Sequence, residues 1–225
     1  MHEIEKDVYI CINRAVNTLN TMGRDSDTEA TILRAAEEVF FDKGYSGATT
    51  TEIAKKAGVN HAMLHYYFRT KENLFQIIFK RNIELLVQSF FSVQDRDGDF
   101  REIISVAVGN HFDFVRKHPK LVLLIVNEIN SSSDRNKMWQ ETTLPVFASI
   151  DRWLEERMER EKLLGNIRDI DPLNFIVSII SLNLFVFVAS PFLNNAKQFR
   201  KTDYEDFLDR QKQENIRLAL LALQP

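Results

Sequence analysis

From Asp25 onward, apolar residues recur at three- and four-residue steps, the period of an α-helix with one buried face. Ile32, Ala36, Val39 and Phe40 form the first such stripe. Ser26-Asp27-Thr28-Glu29 ahead of it predicts an N-cap and an acidic first turn, and Gly44 predicts a left-handed C-cap. After a loop at Tyr45-Ser46-Gly47-Ala48, Thr49-Thr50-Thr51-Glu52 matches a capping box, with Thr49 as cap and Glu52 reaching back. A short helix to Ala57 is expected, then a tight turn at Gly58, where positive φ is needed. Val59 is apolar and points the turn into the core. Asn60 caps a third helix over His61-Ala62-Met63-Leu64-His65-Tyr66-Tyr67-Phe68. Thr70 caps a long fourth helix running from Lys71 to about Ser92, with a broad stripe of Leu74, Ile77, Ile78, Ile83, Leu86, Val87 and Phe90.

Further along, Asp95-Arg96-Asp97-Gly98-Asp99 reads as a turn, and helices are expected at 100–117, 119–131, 135–162, 172–190 and 203–223. Pro119 suits a helix start, where its missing N–H costs nothing. Gly165-Asn166 and Asp171-Pro172 mark the next boundaries. Residues 1–24 read as an extension: Ile4, Val8 and Ile12 allow a short helix that Met22-Gly23-Arg24 breaks. With only 7 glycines and 5 prolines, the reading is all-α. It divides into a small helical domain at 25–72 and a larger one at 73–225, with the fourth helix as connector.

Charge changes this picture only locally. The net charge of −3 argues against nucleic acid as a partner of the whole surface. Yet Lys43, Lys55, Lys56, Arg69, Lys71, Lys80 and Arg81 gather around the third helix, while acidic residues cluster on the first helix and at Glu52 and Glu72. One cysteine, Cys11, builds no disulfide framework and fits a reducing compartment. The N-terminus lacks a basic segment followed by an apolar one, so a secretory signal is not expected and a cytoplasmic location is. The uncharged run at 172–193 is long enough to span a bilayer, which leaves a membrane-anchored sensor as an alternative. Asn174, Ser178, Ser181, Asn183 and Ser190 interrupt it, Pro191 breaks its end and no Lys/Arg-rich flank sets an orientation. A buried helix at a subunit contact is the favoured reading.

The second and third helices carry the chemistry. Ile53 and Ala54 face inward, small residues at Ala54 and Ala57 allow a close crossing, and Val59 and Leu64 return to the core: the spacing of a helix-turn-helix. His61, Met63, His65, Tyr66 and Tyr67 are too large and semi-polar for an ordinary solvent face. They suit a DNA groove, where hydroxyls and imidazoles meet phosphates and base edges.

The run from Thr49 to Asn60, continued by Leu64-His65-Tyr66-Tyr67-Phe68-Arg69-Thr70-Lys71-Glu72-Asn73-Leu74, resembles the signature of the TetR (tetracycline-repressor-like) family of transcriptional regulators. Phe40, Gly44 and Tyr45 fit its preceding helix and loop, and the resemblance covers roughly residues 28–76. It implies a homodimer with a divergent helical ligand-binding and dimerisation domain. Position by position, it implies phosphate contacts from Thr49, Thr50, Asn60, Tyr67 and Lys71. It implies base-edge contacts from His61, Ala62, Met63 and His65, with Ala62 and Met63 suited to thymine methyls. Thr51 stands where members often place a longer base-reading side chain. His65 replaces the common tyrosine at its position. Tyr66 is read either as a DNA contact or as packing under the fourth helix.

No nucleophile elbow, phosphate loop or catalytic carboxylate pair stands out, so no enzyme activity and no cofactor are expected. His111, Asp113 and His118 could hint at a metal site, but ligands normally lie closer, and two surface histidines is the simpler reading. Glu155, Glu156, Glu159 and Glu161, interleaved with Arg152, Arg157 and Arg160, read as a solvated face. Phe112, Trp139, Phe147, Trp153, Phe175 and Phe185, with Asn127 and Asn183 as polar anchors, are candidates to line a ligand pocket. The expectation is a dimeric DNA-binding repressor, released by a small apolar or amphipathic effector, on a pseudo-palindromic double-stranded operator. The dimer would form through 172–190 and 203–223. A regulator answering to a protein partner is the alternative within the same class.

Overall fold

The computed structural model describes residues 23–91, 98–129, 133–193 and 203–225. The expected helix before Met22 and most of the turn at 92–97 lie outside them. Among the described residues the chain is helical, with α1 (Gly23–Gly47), α2 (Thr50–Ala57), α3 (His61–Phe68), α4 (Lys71–Phe91), α5 (Phe100–Lys117), α6 (Pro119–Ile129), α7 (Ser133–Leu163), α8 (Pro172–Val188) and α9 (Tyr204–Ala222). Two compact units divide between Ile78 and Phe79, within α4 and several residues beyond the expected boundary.

In the N-terminal unit, Ile32, Ala36, Val39 and Phe40 are buried on α1, Ile53 and Ala54 on α2, Leu64 and Phe68 on α3, and Leu74 and Phe75 on α4. Ile77, expected in the stripe of α4, is exposed instead, because the register turns it to solvent. Helix α1 begins at Gly23, so Ser26–Glu29 lies inside the helix rather than capping it, and the expected break at Met22–Arg24 is displaced. Gly44 does interrupt α1, with φ 67° and ψ 177°. Its ψ is extended, not the left-handed cap expected, a combination open essentially to glycine alone. The chain then makes one more turn, closed by the Ala48 N–H on the Gly44 carbonyl at 3.3 Å.

The C-terminal unit packs α5 against α9 and α8, with α8 also meeting α6 and α7. Phe112, Val115, Val122, Val186, Phe187 and Leu208 form one buried cluster. Arg116 reaches from α5 to Glu205 and Asp209 on α9, and Asp113 meets Lys212 at 2.6 Å. Asp99 and Asp171 cap α5 and α8, accepting from the N–H groups of Arg101 (3.1 Å) and Asn174 (2.7 Å). The charged face expected on α7 is only partly solvated. Glu161 is buried, paired with Arg157 at 3.5 Å and receiving a hydrogen bond from Asn166 at 2.7 Å, while Arg157 also donates to the Gly98 carbonyl at 3.1 Å. No helix of the described residues is long and apolar enough to cross a membrane.

The two positive-φ glycines of the N-terminal unit differ in kind, which gives a test. Gly58, at φ 69° and ψ 23°, sits in the left-handed well, and a Cβ on either glycine would meet nothing within 4 Å. Backbone conformation alone therefore sets the cost of substitution. Gly58→Ala is expected to lower stability by about 1 kcal/mol and Gly44→Ala by about 2–3 kcal/mol, read from urea midpoints. Equal losses would refute the conformational account.

Candidate nucleic-acid interface and the core of the C-terminal unit

Helices α2 and α3 have eight residues each, too short to persist alone, so caps and packing hold them. Thr49 Oγ1 accepts from the Glu52 N–H at 3.2 Å, and Asn60 Oδ1 from the Met63 N–H at 2.8 Å, each as the capping reading requires. The reciprocal half of the capping box is replaced: the Glu52 carboxylate pairs with Lys43 at 2.6 Å. At the end of α2 the N–H of Gly58 bonds the Lys55 carbonyl (3.2 Å) and that of Val59 bonds the Ala54 carbonyl (3.0 Å). These bonds end α2 and set the direction in which α3 starts.

A second contact joins the two helices at their N-terminal ends. Thr50 Oγ1 lies 3.0 Å from His61 Nε2, tying the first residue of α2 to the first of α3. On α3, Leu64 and Phe68 are buried, while His61, Ala62, Met63, His65 and Tyr66 face outward. Tyr66 is 78% exposed, so its ring is not packed under α4. It meets Tyr67, which is half-buried, edge to face at 5.3 Å.

α3 ends on a strained residue. Arg69 takes φ 63° and ψ −56°, and the Thr70 N–H bonds the Phe68 carbonyl at 2.6 Å, a γ-turn of the uncommon positive-φ kind. Asn73 supports it by donating its side-chain amide to the same carbonyl at 3.1 Å, and Thr70 Oγ1 accepts from the Asn73 N–H at 3.0 Å. Lys71 follows, its ammonium 4.3 Å from the centroid of the Tyr45 ring, a cation–π distance. Tyr45 in turn packs on Phe75 at 5.0 Å. The position of Lys71 is therefore traced to the core through Tyr45, which packs on Phe75.

The structure gathers Thr49, Thr50, Thr51, Asn60 and the outward residues of α3 on these two adjoining helices and their caps, with Lys71 at the start of the next. The basic stripe is thinner than expected. Lys43 is paired with Glu52, and Lys56 with Glu38 at 2.7 Å; Lys55 and Arg69 are exposed.

In the C-terminal unit, the pocket candidates separate. Trp153 and Phe175 line a cavity of about 30 Å³. Its other walls, missed in the sequence, are Phe90, Ile104, Ala107, Val108, Ile150, Leu154, Ile176 and Ile179. They follow no aromatic pattern and could have been found only by knowing which faces of α4, α5, α7 and α8 meet. Phe112 belongs to the separate buried cluster, Phe147 is half-buried, and Asn127 and Phe185 are exposed. Those four do not line the cavity. The Trp139 side chain lies outside the described residues.

Asn183 is fully buried in a polar network. Its amide nitrogen is 3.0 Å from the Val108 carbonyl and 2.9 Å from His111 Nδ1, while its oxygen accepts from Asn215 at 2.9 Å; Gln211 donates to Asn215 at 2.8 Å. His111 is buried, not a surface histidine, and its ring stacks on Phe90 at 4.1 Å. Burial pushes its pKa down to about 3. His118 packs on Phe114 and Asp113 pairs with Lys212, so the metal-like trio does not converge. Among the described residues no three histidine, cysteine or carboxylate groups gather as a metal site would need.

Residues 32–78 match the family model described as bacterial regulatory proteins, tetR family. The HTH-type transcriptional activator FasR of Mycolicibacterium smegmatis is 34% identical over 96 residues, 43% of either chain, so the match spans less than half of that relative. Among solved structures, SCO4942 from Streptomyces coelicolor superposes with a TM-score of 0.67 at 19% identity, covering 88% of this chain and 99% of that one. FadR from Bacillus subtilis, solved in complex with stearoyl-CoA, does so with a TM-score of 0.65 at 18% identity, covering 87% and 100%. The fold is that of solved TetR/AcrR regulators, and the helix-turn-helix segment at residues 32–78 is similar to the tetR family of bacterial regulatory proteins.

The buried histidine makes stability depend on pH. An unfolded imidazole takes a proton near pH 6.5, whereas the folded one resists until about pH 3, so the unfolded chain binds more protons between them. Stability from this source is complete above about pH 6.5 and is lost as pH falls through that window. By pH 5 the loss is about 2 kcal/mol. Urea unfolding at pH 7.5 and pH 5 should show it in the natural chain and not in His111→Asn; the same pH dependence in both would refute it.

Proposed function

We propose that this protein is a sequence-specific DNA-binding transcriptional regulator, a repressor released by a small apolar or amphipathic effector. The observation that carries the reading is the outward face of α3. His61, Ala62, Met63, His65 and Tyr66 stand exposed on a helix anchored by buried Leu64 and Phe68. A helix so mounted presents donors, acceptors and methyl-sized apolar groups to the major groove. Thr49, Thr50 and Asn60 at the two helix N-termini, with Tyr67 and Lys71, serve the phosphates. Thr51 is short and exposed, and contributes at most a backbone-level contact. Such a role belongs in the cytoplasm, beside the chromosome, and requires no catalysis.

Support for an effector comes from the C-terminal unit, whose fold resembles that of FadR from Bacillus subtilis in complex with stearoyl-CoA, and whose helices enclose an apolar cavity. Effector and DNA would then weaken each other's binding reciprocally. A homodimer supplies the two heads a pseudo-palindrome needs. Its contact would be centred on α8, where Leu173, Val177 and Phe185 are exposed at 56%, 51% and 69% without a charge between them. On α9 the exposed positions are mostly polar, including Asp209, Arg210, Gln213 and Arg217, so α9 contributes less apolar area than the sequence reading assigned it.

Retardation of a duplex from the gene's own upstream region, with an unrelated duplex as competitor, tests the central reading; equal affinity for both would sink it. Lys71→Ala should weaken binding alike on all sequences and reduce the salt slope by about 1. His61→Ala should relax sequence preference. Thr50→Val, which removes the tie to His61, should reproduce part of that relaxation; unchanged preference in both variants would remove His61 from the reading face. For the dimer, Phe185→Glu is expected to halve the sedimenting mass, and an unchanged mass would place the contact elsewhere.

A further inference from the structure

One hydroxyl proton has two claimants where the N-terminal ends of α2 and α3 meet. Thr50 Oγ1 lies 3.0 Å from His61 Nε2, and in the DNA-binding reading the same hydroxyl meets a phosphate. A phosphate oxygen only accepts, so Thr50 gives its single proton to the phosphate. Its oxygen is then an acceptor toward the ring, and the 3.0 Å bond is donated by His61 Nε2–H. A neutral imidazole carries one proton. With that proton on Nε2, Nδ1 is an acceptor.

The surroundings leave Nδ1 available. Among the described residues, the contact with Thr50 is the one hydrogen bond that the His61 ring makes, and no carboxylate pairs with it. His61 is the exposed first residue of α3, whereas Thr50 is half-buried. The Gly58 turn and the Asn60 cap on the Met63 N–H fix where residue 61 stands relative to α2. One edge of the ring is thus held, and the other can meet a base.

An acceptor in the major groove is selective. Adenine offers its N6 amino group and cytosine its N4 amino group, whereas guanine and thymine present carbonyl oxygens. A ring nitrogen set against O6 or O4 has no proton to share and loses its water. We propose that Thr50 and His61 form a relay from phosphate to base: Thr50, engaged by the DNA backbone, sets the tautomer of His61, and His61 Nδ1 accepts from the exocyclic amino group of an adenine or cytosine. The proposal rests on the reading of α2 and α3 as a DNA-binding head. Thr50 is then a positioning residue for specificity as well as a phosphate contact, and the relay rejects guanine and thymine at one position of each half-site.

Selection from randomised duplexes at pH 8 tests the relay. The natural chain should enrich adenine or cytosine about tenfold over guanine and thymine at one position of each half-site. His61→Ala should level the four bases there. Thr50→Val keeps the shape of residue 50 but removes its hydroxyl. With the tautomer released, the ring can donate or accept, and the amino-bearing bases should lose their advantage. Thr50→Ser keeps the hydroxyl and should keep the preference, which a role for the threonine methyl alone would not give. Deleting the amino group from the selected base, with purine for adenine or 2-pyrimidinone for cytosine, should weaken retardation about tenfold for the natural chain and far less for His61→Ala. The relay is overturned if no position responds to His61→Ala, or if the responding position selects guanine or thymine. It is equally overturned if Thr50→Val keeps the preference, if Thr50→Ser loses it, or if amino deletion costs both proteins alike. In each of these cases a selected operator still exists, so the DNA-binding reading stands. Selection of no sequence at all by the natural chain would end both.

Discussion

The N–H groups of Gly58 and Val59 answer the Lys55 and Ala54 carbonyls only because Gly58 adopts φ 69° and ψ 23°. That local closure governs the whole reading head. Two eight-residue helices have little stability of their own, and each cap adds only about 1 kcal/mol. What makes them persist is that the turn sends α3 back across the core, where Leu64 and Phe68 join Ile53, Phe40 and Leu74 in burial. The outward face of α3 is then fixed by exclusion. Once positions 64 and 68 are buried, residues 62 and 66 lie on the opposite side of the helix with 63 and 65 on its flanks, while His61, on the side of Leu64, is exposed at the first turn. The Thr50–His61 contact and the Arg69 γ-turn refine this face at its two ends.

Much of this was legible in the sequence because its causes are local. A threonine three residues ahead of a glutamate, a glycine between two apolar runs and an asparagine before the next helix each act within four residues. The misreadings mark the places where a more distant group wins. Glu52 was expected to turn back on its own helix, yet Lys43, nine residues earlier, offers a full charge at 2.6 Å, a stronger partner than one more neutral N–H. Gly44 was expected in the left-handed well. The further turn over 45–48, which brings the Tyr45 ring against Phe75, goes instead with an extended ψ.

The C-terminal unit was legible in its helices and much less so in its interior. Helix ends followed Pro119, Gly165 and Asp171, which are local signals. His111 was taken for a surface residue because its partner Asn183 is 72 positions away, and Asn183 meets Asn215 another 32 further on. Nothing in the periodicity of α5 distinguishes a histidine on its inner edge from one on its outer edge. α8 is harder still. With no charged residue from Pro172 to Val188, only the short polar side chains of Asn174, Ser178 and Ser181 mark its exposed face, a signal against which Phe175 and Phe185 looked equivalent. Packing separates them, one buried at 3% exposure and the other exposed at 69%.

The acidic total charge and the proposed DNA contact are compatible once each cation is followed to its partner. Lys43 and Lys56 hold α2 to α1 through Glu52 and Glu38, so two of the charges that looked electrostatic in the sequence are structural. Lys55, Arg69 and Lys71 remain on the elements around α3. The rest of the proposed phosphate contacts fall to threonine, asparagine and tyrosine side chains and to the N-terminal ends of α2 and α3. Neutral donors displace no condensed counterion, whereas each lysine or arginine on a phosphate does. On this reading affinity for DNA depends on geometry more than on charge, and a short, well-capped pair of helices matters more to it than an abundance of lysine.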